Sequence, residues 1–473
     1  MKLNVKRTFY VGFAFLLISM FWQVYDAVIP KILINSFGLN QTWSGFVMAF
    51  DNILALFLLP LFGSLSDKRN TKWGKRTPFI VMGTVIAALL ITSVAIIDAA
   101  QLTALASESI EPVLRSQFVT GAAGDVLFDA AWAARQAAVW EVTVANILYF
   151  VLFIGALLLV LIAMATFRSP AVALMPDVTV KPLRSKANAI INLMGTAGGI
   201  ISLGVMAVLA KDFQSYVLLF LIIAVLMLAF LGLFLWKVNE PKLVSIMEED
   251  TRKFGLEEAA VEVDAQGKET MAPDVRKSFL LILASIFLWF MGYNAATTKF
   301  SMYAQIVLDT GYSIPLLVAQ ISAVIAFIPI GIIASKIGRR KTILAGIVIL
   351  SGAFIAGYFV TPSSAFFMYA VLGLAGVGWA TINVNSYPMI VEMSRGSNIG
   401  KYTGYYYTFS MAAQIVTPIF SGFLMDTYGM TILFPYAAVF CILAFGTMFM
   451  VKHGDSKPIP APSKLESFDS DND

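Results

Sequence analysis

The sequence predicts an all-α membrane protein of twelve transmembrane helices, arranged as two six-helix repeats. The chain has 473 residues, of which 59% are hydrophobic and only 13% are charged. Its mean hydropathy of +0.80 is too high for a chain that folds in water. The apolar residues fall into runs of about 20, the length of a membrane-spanning helix. One half of the chain also aligns with the other after a single shift.

Twelve apolar runs are long enough to cross a bilayer. They lie at about residues 8–34, 42–65, 78–100, 141–168, 187–210, 215–237, 278–306, 315–335, 342–361, 365–391, 402–425 and 431–451. The first run is too long for the core of a signal peptide and lacks a small-residue cleavage site. We therefore expect it to remain as the first span.

Polar interruptions divide the chain. The longest one separates the spans six and six, which predicts a first half at 1–238, a linker at 239–277, a second half at 278–452 and a tail at 453–473. A second interruption, at 101–139, contains amphipathic pieces and is expected on the outer surface. The sequence assigns it no role.

Lysine and arginine residues are strongly biased to one side of the predicted topology. That side holds the N-terminus, the even-to-odd loops, the linker and the tail, whereas the other side has only Lys31, Arg115, Arg135 and Lys211. Cytoplasmic loops are enriched in these residues. The bias predicts a multi-pass protein of the plasma or inner membrane with both termini and the linker in the cytoplasm.

Composition argues against several functions. The net charge is only +4 and its cations are scattered through short loops, so no nucleic-acid partner is expected. Cys441 and His453 are the single cysteine and histidine, too few for a Cys/His metal cluster or a Cys–His dyad. We predict no enzyme activity, no metal and no cofactor.

The internal repeat is visible in two separate motifs. The shift that brings Lys31 onto Lys299 also brings Tyr25 onto Tyr293, and lays "FWQVYDAVIPK" on "WFMGYNAATTK". The same shift lays "GSLSDK" on "GIIASK". Because one shift aligns two separate motifs, the two halves are predicted to be structural repeats, as in many transporters.

The loop between spans 2 and 3 carries the most specific motif. Its string "GSLSDKRNTKWGKRTPFI", with a weaker copy between spans 8 and 9, resembles the signature loop of the major facilitator superfamily. The longer form "SDKRNTKWGKRTPFI" resembles the sucrose-type carriers and the glycoside–pentoside–hexuronide:cation symporters. "RSPAVALMPD" resembles the end of their fourth helix, and "GWATINVNSYPMIVEM" resembles the tenth helix of bacterial sucrose-type relatives.

The resemblance implies a gate at the cytoplasmic side. The candidate gate residues are Gly63, Asp67, Gly74, Arg76, Gly331, Gly338 and Arg339. Asp67 falls at the C-terminus of span 2, where the helix dipole disfavours an anion. We expect it to pair with a cation or a helix N-terminus across the two halves. The alternative is that the cations of this loop only set the topology.

Ionisable residues within spans are functional candidates, because charge in hydrocarbon is costly. Asp51 falls about 15 Å into span 2, near the midplane. Asp26 lies in the outer part of span 1, and Arg168 lies near the inner end of span 4. Lys299 is either a site residue or a side chain that snorkels to the interface, whereas snorkelling is favoured for Lys31.

Aromatic and amide side chains recur at comparable depths. A sugar carrier needs hydrogen-bonding groups for hydroxyls and aromatic faces for the ring, although each amide could instead join helices. The substrate-binding candidates are Trp22, Gln23, Tyr25, Asp26, Arg168, Asn192, Tyr293, Asn294, Lys299, Trp379, Asn383, Asn385 and Gln414.

Two positions in span 2 bear on the coupling ion. Melibiose-type relatives hold sodium with two aspartates ahead of a Pro-x-x-Gly, and the matching positions here are Ala55 and Leu59. A leucine supplies no oxygen ligand. We therefore predict proton coupling, with Asp26 or Asp51 as the protonatable group, although diffusion without coupling stays open.

Together these features predict a secondary active transporter that imports a di- or oligosaccharide glycoside by alternating access, by proton symport and as a monomer. One alternative is a multidrug-type exporter of the same superfamily, which would need a more apolar cavity. The other is a non-transporting sugar sensor on a carrier fold, which would carry longer soluble extensions. The sequence does not identify the sugar.

Overall fold

A computed structural model describes residues 3–119, 121–180, 183–253, 273–392 and 399–453. These residues form fifteen α-helices and, within those ranges, no β-strand. The helices are α1 Val5–Val11, α2 Phe13–Asn35, α3 Gln41–Lys68, α4 Thr77–Ser107, α5 Ala122–Ala145, α6 Ile147–Asp177, α7 Arg184–Leu209, α8 Val217–Lys237, α9 Glu240–Lys253, α10 Pro273–Ile306, α11 Ser313–Ile337, α12 Arg339–Tyr358, α13 Phe367–Glu392, α14 Ile399–Tyr428 and α15 Leu433–Phe449.

The predicted fold class is confirmed. Eleven stretches of the described residues are long and apolar enough to cross a membrane, the first of which joins α1 and α2. The one predicted span that is not among these eleven is the run at about 315–335. It corresponds to α11, whose segment Ser313–Phe327 is a shorter apolar helix. The chain is therefore a multi-pass membrane protein.

Helices within each half pack on one another through glycines. A Cβ added to Gly198 in α7 would lie 2.2 Å from the backbone oxygen of Leu16 in α2. A Cβ on Gly376 in α13 would lie 2.1 Å from the backbone oxygen of Ala319 in α11. These contacts allow the backbones to approach closely, which is how helices associate in lipid.

Three helix pairs join the halves: α3 with α14, α7 with α11, and α2 with α10. We call the end of the bundle with the α3–α4 loop and α9 the basic end, and the other end the opposite end. Polar contacts between the halves concentrate at the opposite end, where Asn35 donates to Gln305 at 3.1 Å. The structure is thus closed there. The linker's residues 254–272 and the tail from 454 lie outside the described residues, so the predicted domain boundaries stay predictions.

The interruption between spans 3 and 4 covers the opposite end. Its helix α5 packs Phe128 in one cluster with Ile34 of α2 and Met302 of α10, and so bridges both halves. Arg135 donates to the backbone oxygens of Glu111 and Asn35, both at 3.1 Å. Burial lowers the pKa of Arg135 to about 10, so the side chain stays charged near neutral pH.

Candidate functional site

Asp67 in the signature loop pairs with Arg76 of its own half. The predicted contact across the two halves is thus not the one that this carboxylate makes here. Arg76 is 6% exposed and also donates to Asp177 at 2.7 Å and to Ser66 at 2.5 Å. Burial alone would lower the pKa of Arg76, but the hydrogen bonds and charges of Asp177 and Asp67 raise it. Arg76 therefore ties the ends of α3, α4 and α6 together.

Glu240, the first residue of α9, binds the second part of the signature loop, the string "GKRT". Its carboxylate accepts the backbone N–H groups of Lys75 at 2.6 Å, Arg76 at 2.9 Å and Thr77 at 2.7 Å. A helix N-terminus favours such an anion. Gly74 has φ +104°, and a Cβ there would lie 2.2 Å from the Glu240 carboxyl carbon. The string "GKRT" thus forms a carboxylate-binding turn that holds α9 against α4.

The other glycines of the motif differ in their surroundings. A Cβ on Gly63 would lie 2.9 Å from Ser169 Oγ, whereas nothing lies within 4 Å of one on Gly331. Gly338, at φ +92°, precedes Arg339, where α12 begins. The repeat therefore preserves the glycine turn before the third spanning helix of each half. It does not preserve the tight packing around the glycine of the second spanning helix.

A small cavity in the first half is lined by Asp51, one of the two candidate coupling residues. It is lined by Trp22, Asp51, Leu54, Ala55, Leu59, Leu161, Ala165 and Arg168. The Arg168 guanidinium interacts electrostatically with Asp51 and Asp26, and lies 5.6 Å from the centre of the Trp22 ring. Tyr407 of α14 also interacts with Arg168, so the second half faces this cluster too.

Arg168 lies deeper than the sequence indicated. The predicted span ended at 168, but α6 continues through Pro170 and Pro176 to Asp177. Nine further residues place Arg168 about 14 Å from the basic end of the helix. The Arg168 side chain lines the same cavity as Asp51 of α3.

Several buried polar atoms of the candidate binding residues have no hydrogen-bond partner among the described residues. They are Trp22 Nε1, Tyr25 Oη and Asn294 Nδ2. Buried polar groups are normally hydrogen-bonded, and such exceptions need an explanation. These atoms can bond a polar ligand without breaking a bond within the protein.

The second half contributes an aromatic platform. Tyr293 of α10 stacks on Trp379 of α13 with centroids 3.8 Å apart and an interplanar angle of 3°. Phe290 meets the same indole edge-on at 5.0 Å. Asn294 follows Tyr293, and Asn383 lies one turn beyond Trp379. The matched tyrosines of the repeat, Tyr25 and Tyr293, thus occupy equivalent helices.

Four predicted binding residues make other contacts. Asn385 is 1% exposed and donates to Thr381 of its own helix at 2.9 Å. Gln414 donates to the Ser410 backbone oxygen at 3.2 Å, and Asn192 lies on an exposed face of α7. Gln23 is partly buried beside Trp22.

Both lysines of the repeat are buried. Lys31 is 0% exposed, forms an ion pair with Asp212 and lies 4.6 Å from the centre of the Tyr312 ring. Lys299 is 2% exposed and donates to the Gln41 backbone oxygen at 2.9 Å. The expectation that Lys31 snorkels was therefore wrong, and Lys299 lies at the contact between the halves instead of in the cavity.

Sequence reasoning missed several charged residues. Asp98 is a fully buried carboxyl within α4, and its position inside an apolar run could have revealed it. Glu240, Asp212 and Asp426 were overlooked because each lies just beyond the end of a predicted span. Their partners lie far away in sequence, which no local pattern shows.

The sequence profile of the Major Facilitator Superfamily matches residues 11–328 and 309–470. The chain belongs to the major facilitator superfamily. It is accordingly a transporter and not an enzyme. No curated protein sequence matches the chain.

Solved structures share the fold over almost the whole chain. A mutant of the nucleoside transporter NupG superposes with a TM-score of 0.61 at 16% identity, covering 95% of this chain and 100% of that one. A bacterial homologue of the iron transporter ferroportin, in an inward-facing state, gives 0.63 at 11% identity, covering 96% and 100%. The inward-open xylose transporter XylE from E. coli gives 0.61 at 14% identity, covering 99% of each chain. At these identities the likeness concerns the fold alone.

Proposed function

We propose that this superfamily member imports a glycoside, a di- or oligosaccharide, by alternating access coupled to protons. The basic end would face the cytoplasm of a cell bounded by this plasma or inner membrane, with both termini on that side. The observation that carries the proposal is the cluster of Asp26, Asp51 and Arg168 beside Trp22, together with the stacked Tyr293–Trp379 pair of the second half.

Charge balance favours coupling to a proton. Two carboxylates and one guanidinium leave one net negative charge in a cavity within the membrane, where unpaired charge is costly. One bound proton would make the cluster neutral. Ala55 and Leu59 line the same cavity and offer no side-chain oxygen for a sodium ion. A cycle that moves one proton with each sugar follows from this balance.

The aromatic residues favour a sugar as the substrate. Trp22 and the Tyr293–Trp379 pair offer flat apolar faces to a pyranose ring, while Asn294 Nδ2 and Tyr25 Oη offer unpaired hydrogen-bonding groups. An amphipathic drug would leave those polar groups without partners, at a cost of about 1–3 kcal/mol each.

A ligand screen followed by an uptake assay tests the proposal. Purified protein is heated with a panel of mono-, di- and oligosaccharides at two pH values, and the stabilising sugars are then tested in proteoliposomes. We expect stabilisation by a glycoside and its accumulation under an inward proton gradient. Stabilisation by hydrophobic amines but by no sugar would overturn the sugar assignment.

The gating role of the signature loop is part of the proposal. Arg76 and Glu240 bind the loop to its own half in this conformation. As the basic end closes, Asp67, which is exposed, is the residue of the motif that remains able to reach the other half. We expect the protein to work as a monomer because the cavity is built from one chain.

A further inference from the structure

We propose that two lysine–aspartate pairs, one from each half, form a latch that holds the opposite end closed. The latch consists of the ion pair between Lys31 and Asp212 and of Lys299 and Asp426, which meet through Gln41, a residue that both of them bind. Each pair grips the start of the second spanning helix of the other half. This inference rests on the alternating access proposed above.

The Lys299–Asp426 pair grips α3. Asp426, near the end of α14, accepts the backbone N–H groups of Gln41 at 2.9 Å and Thr42 at 2.8 Å, and the Thr42 hydroxyl at 2.5 Å. Lys299 Nζ donates to the Gln41 backbone oxygen at 2.9 Å. A carboxylate from the second half thus caps the N-terminus of a first-half helix, where the helix dipole favours it.

The Lys31–Asp212 pair grips α11. Lys31 is fully buried and forms an ion pair with Asp212, which follows α7. The ammonium lies 4.6 Å from the centre of the Tyr312 ring, at the N-cap of α11 in the second half. A cation over a desolvated aromatic face is attracted to it.

The internal repeat relates the two pairs. Lys31 and Lys299 are brought together by the shift that aligns the halves. Asp212 follows the fifth span and Asp426 ends the fifth span of the second half, while α3 and α11 are the second spans. Lysines that match under the shift, each with an aspartate at the end of a fifth span, indicate a device of the fold and not a chance surface pair.

The backbones touch at the same place. A Cβ on Gly422 would lie 2.3 Å from the Gln41 backbone oxygen, and one on Gly45 would lie 1.9 Å from that of Pro418. Glycine at both positions lets α3 and α14 close completely beside Asp426. The helices must separate here for the opposite end to open.

The chemistry makes the latch reversible. Closing buries two ammonium groups, which is tolerated only because each has an anion, a carbonyl or a ring as partner. Opening would admit water to the same groups, so hydration replaces the lost contacts. Breaking either pair by mutation removes the contact from the closed state alone and shifts the population towards the open one.

Distance measurements between spin labels test the latch. One label pair replaces exposed residues at the opposite end, Glu108→Cys with Ser363→Cys, and the other replaces Lys72→Cys with Lys336→Cys at the basic end. Cys441, the one native cysteine, is buried. The full chain is measured in nanodiscs without sugar, so the result does not depend on the substrate.

The variants are Asp212→Asn, Asp426→Asn and both together, with Asp309→Asn as the matched control. Asp309 is an exposed carboxylate at the same end with no ion pair among the described residues. Loss of one charged hydrogen-bonding partner should raise the population with a long distance at the opposite end by about tenfold, and the double variant should raise it further. The control should match the wild type.

Unchanged distances at the opposite end in the folded double variant would overturn the latch. If the aspartate variants do not fold, Thr42→Val removes one hydrogen bond to Asp426 with nearly the same shape, and unchanged distances there would overturn it equally. Altered distances in the variants together with absent sugar uptake by the wild type would leave the latch standing and contradict the proposed function. Normal sugar uptake by the wild type with unchanged distances in the variants would support the proposed function and overturn the latch.

Discussion

Replacing Glu240 by glutamine should loosen the junction between α4 and α9. The carboxylate is 2% exposed and accepts three backbone N–H groups and the Thr77 hydroxyl. An amide keeps one oxygen and turns an NH₂ group towards these donors, so about half of the hydrogen bonds that the side chain accepts are lost. Charged hydrogen bonds are worth about 1.5–3 kcal/mol, and the helix terminus adds about 0.3–1 kcal/mol. A local loss of about 2 kcal/mol follows.

Hydrogen exchange followed by mass spectrometry measures this loss directly. Peptides that contain Lys75 to Thr77 should exchange about thirtyfold faster in Glu240→Gln, since each 1.4 kcal/mol corresponds to a factor of ten. Peptides from the middle of α13 should keep their protection. Glu248→Gln is the matched control, because Glu248 is an exposed carboxylate on the same helix. Equal exchange in both variants would refute the carboxylate-binding turn.

Three further predictions address the site, the external segment and the closed end. Trp379→Ala removes a ring that stacks on Tyr293, so sugar affinity measured by titration should fall about tenfold; unchanged affinity would exclude the aromatic platform from the site. Arg135→Met removes two hydrogen bonds to backbone oxygens, so limited proteolysis should cut faster between α4 and α5, and an unchanged rate would show that the bonds do not hold this segment. Gly422→Val places a side chain against the Gln41 backbone oxygen, so the population with a long distance between labels at Glu108→Cys and Ser363→Cys should rise several-fold, and a wild-type population would contradict the close approach.

The membrane spans were predictable because the bilayer imposes one simple rule on the sequence. Every span must hold about 20 apolar residues, so hydropathy alone located all twelve. The repeat was equally visible, because Tyr25 and Tyr293 or Lys31 and Lys299 keep their positions within equivalent helices. Both signals can be read from the order of residues in the sequence, without knowing which residues are in contact.

The partners of the charged residues were not predictable in this way. Lys31 looked like a snorkelling side chain because it stands near a helix end, but the ion pair with Asp212 keeps it buried. Arg168 was placed too near the basic end, because the apolar run was taken to end at 168 where α6 in fact continues to Asp177. Glu240 looked like ordinary linker until the fold brought it to Gly74. Each answer depends on contacts distant in sequence.

Proton movement coupled to sugar uptake tests the central claim most directly. Proteoliposomes with an internal pH dye are given the stabilising glycoside in wild-type, Asp26→Asn, Asp51→Asn and Asp309→Asn forms. The account predicts about one proton entering with each sugar in the wild type and the control, and sugar exchange without proton entry or accumulation in at least one of the two cavity variants. Sugar accumulation without proton entry, or proton entry unchanged in both cavity variants, would contradict it.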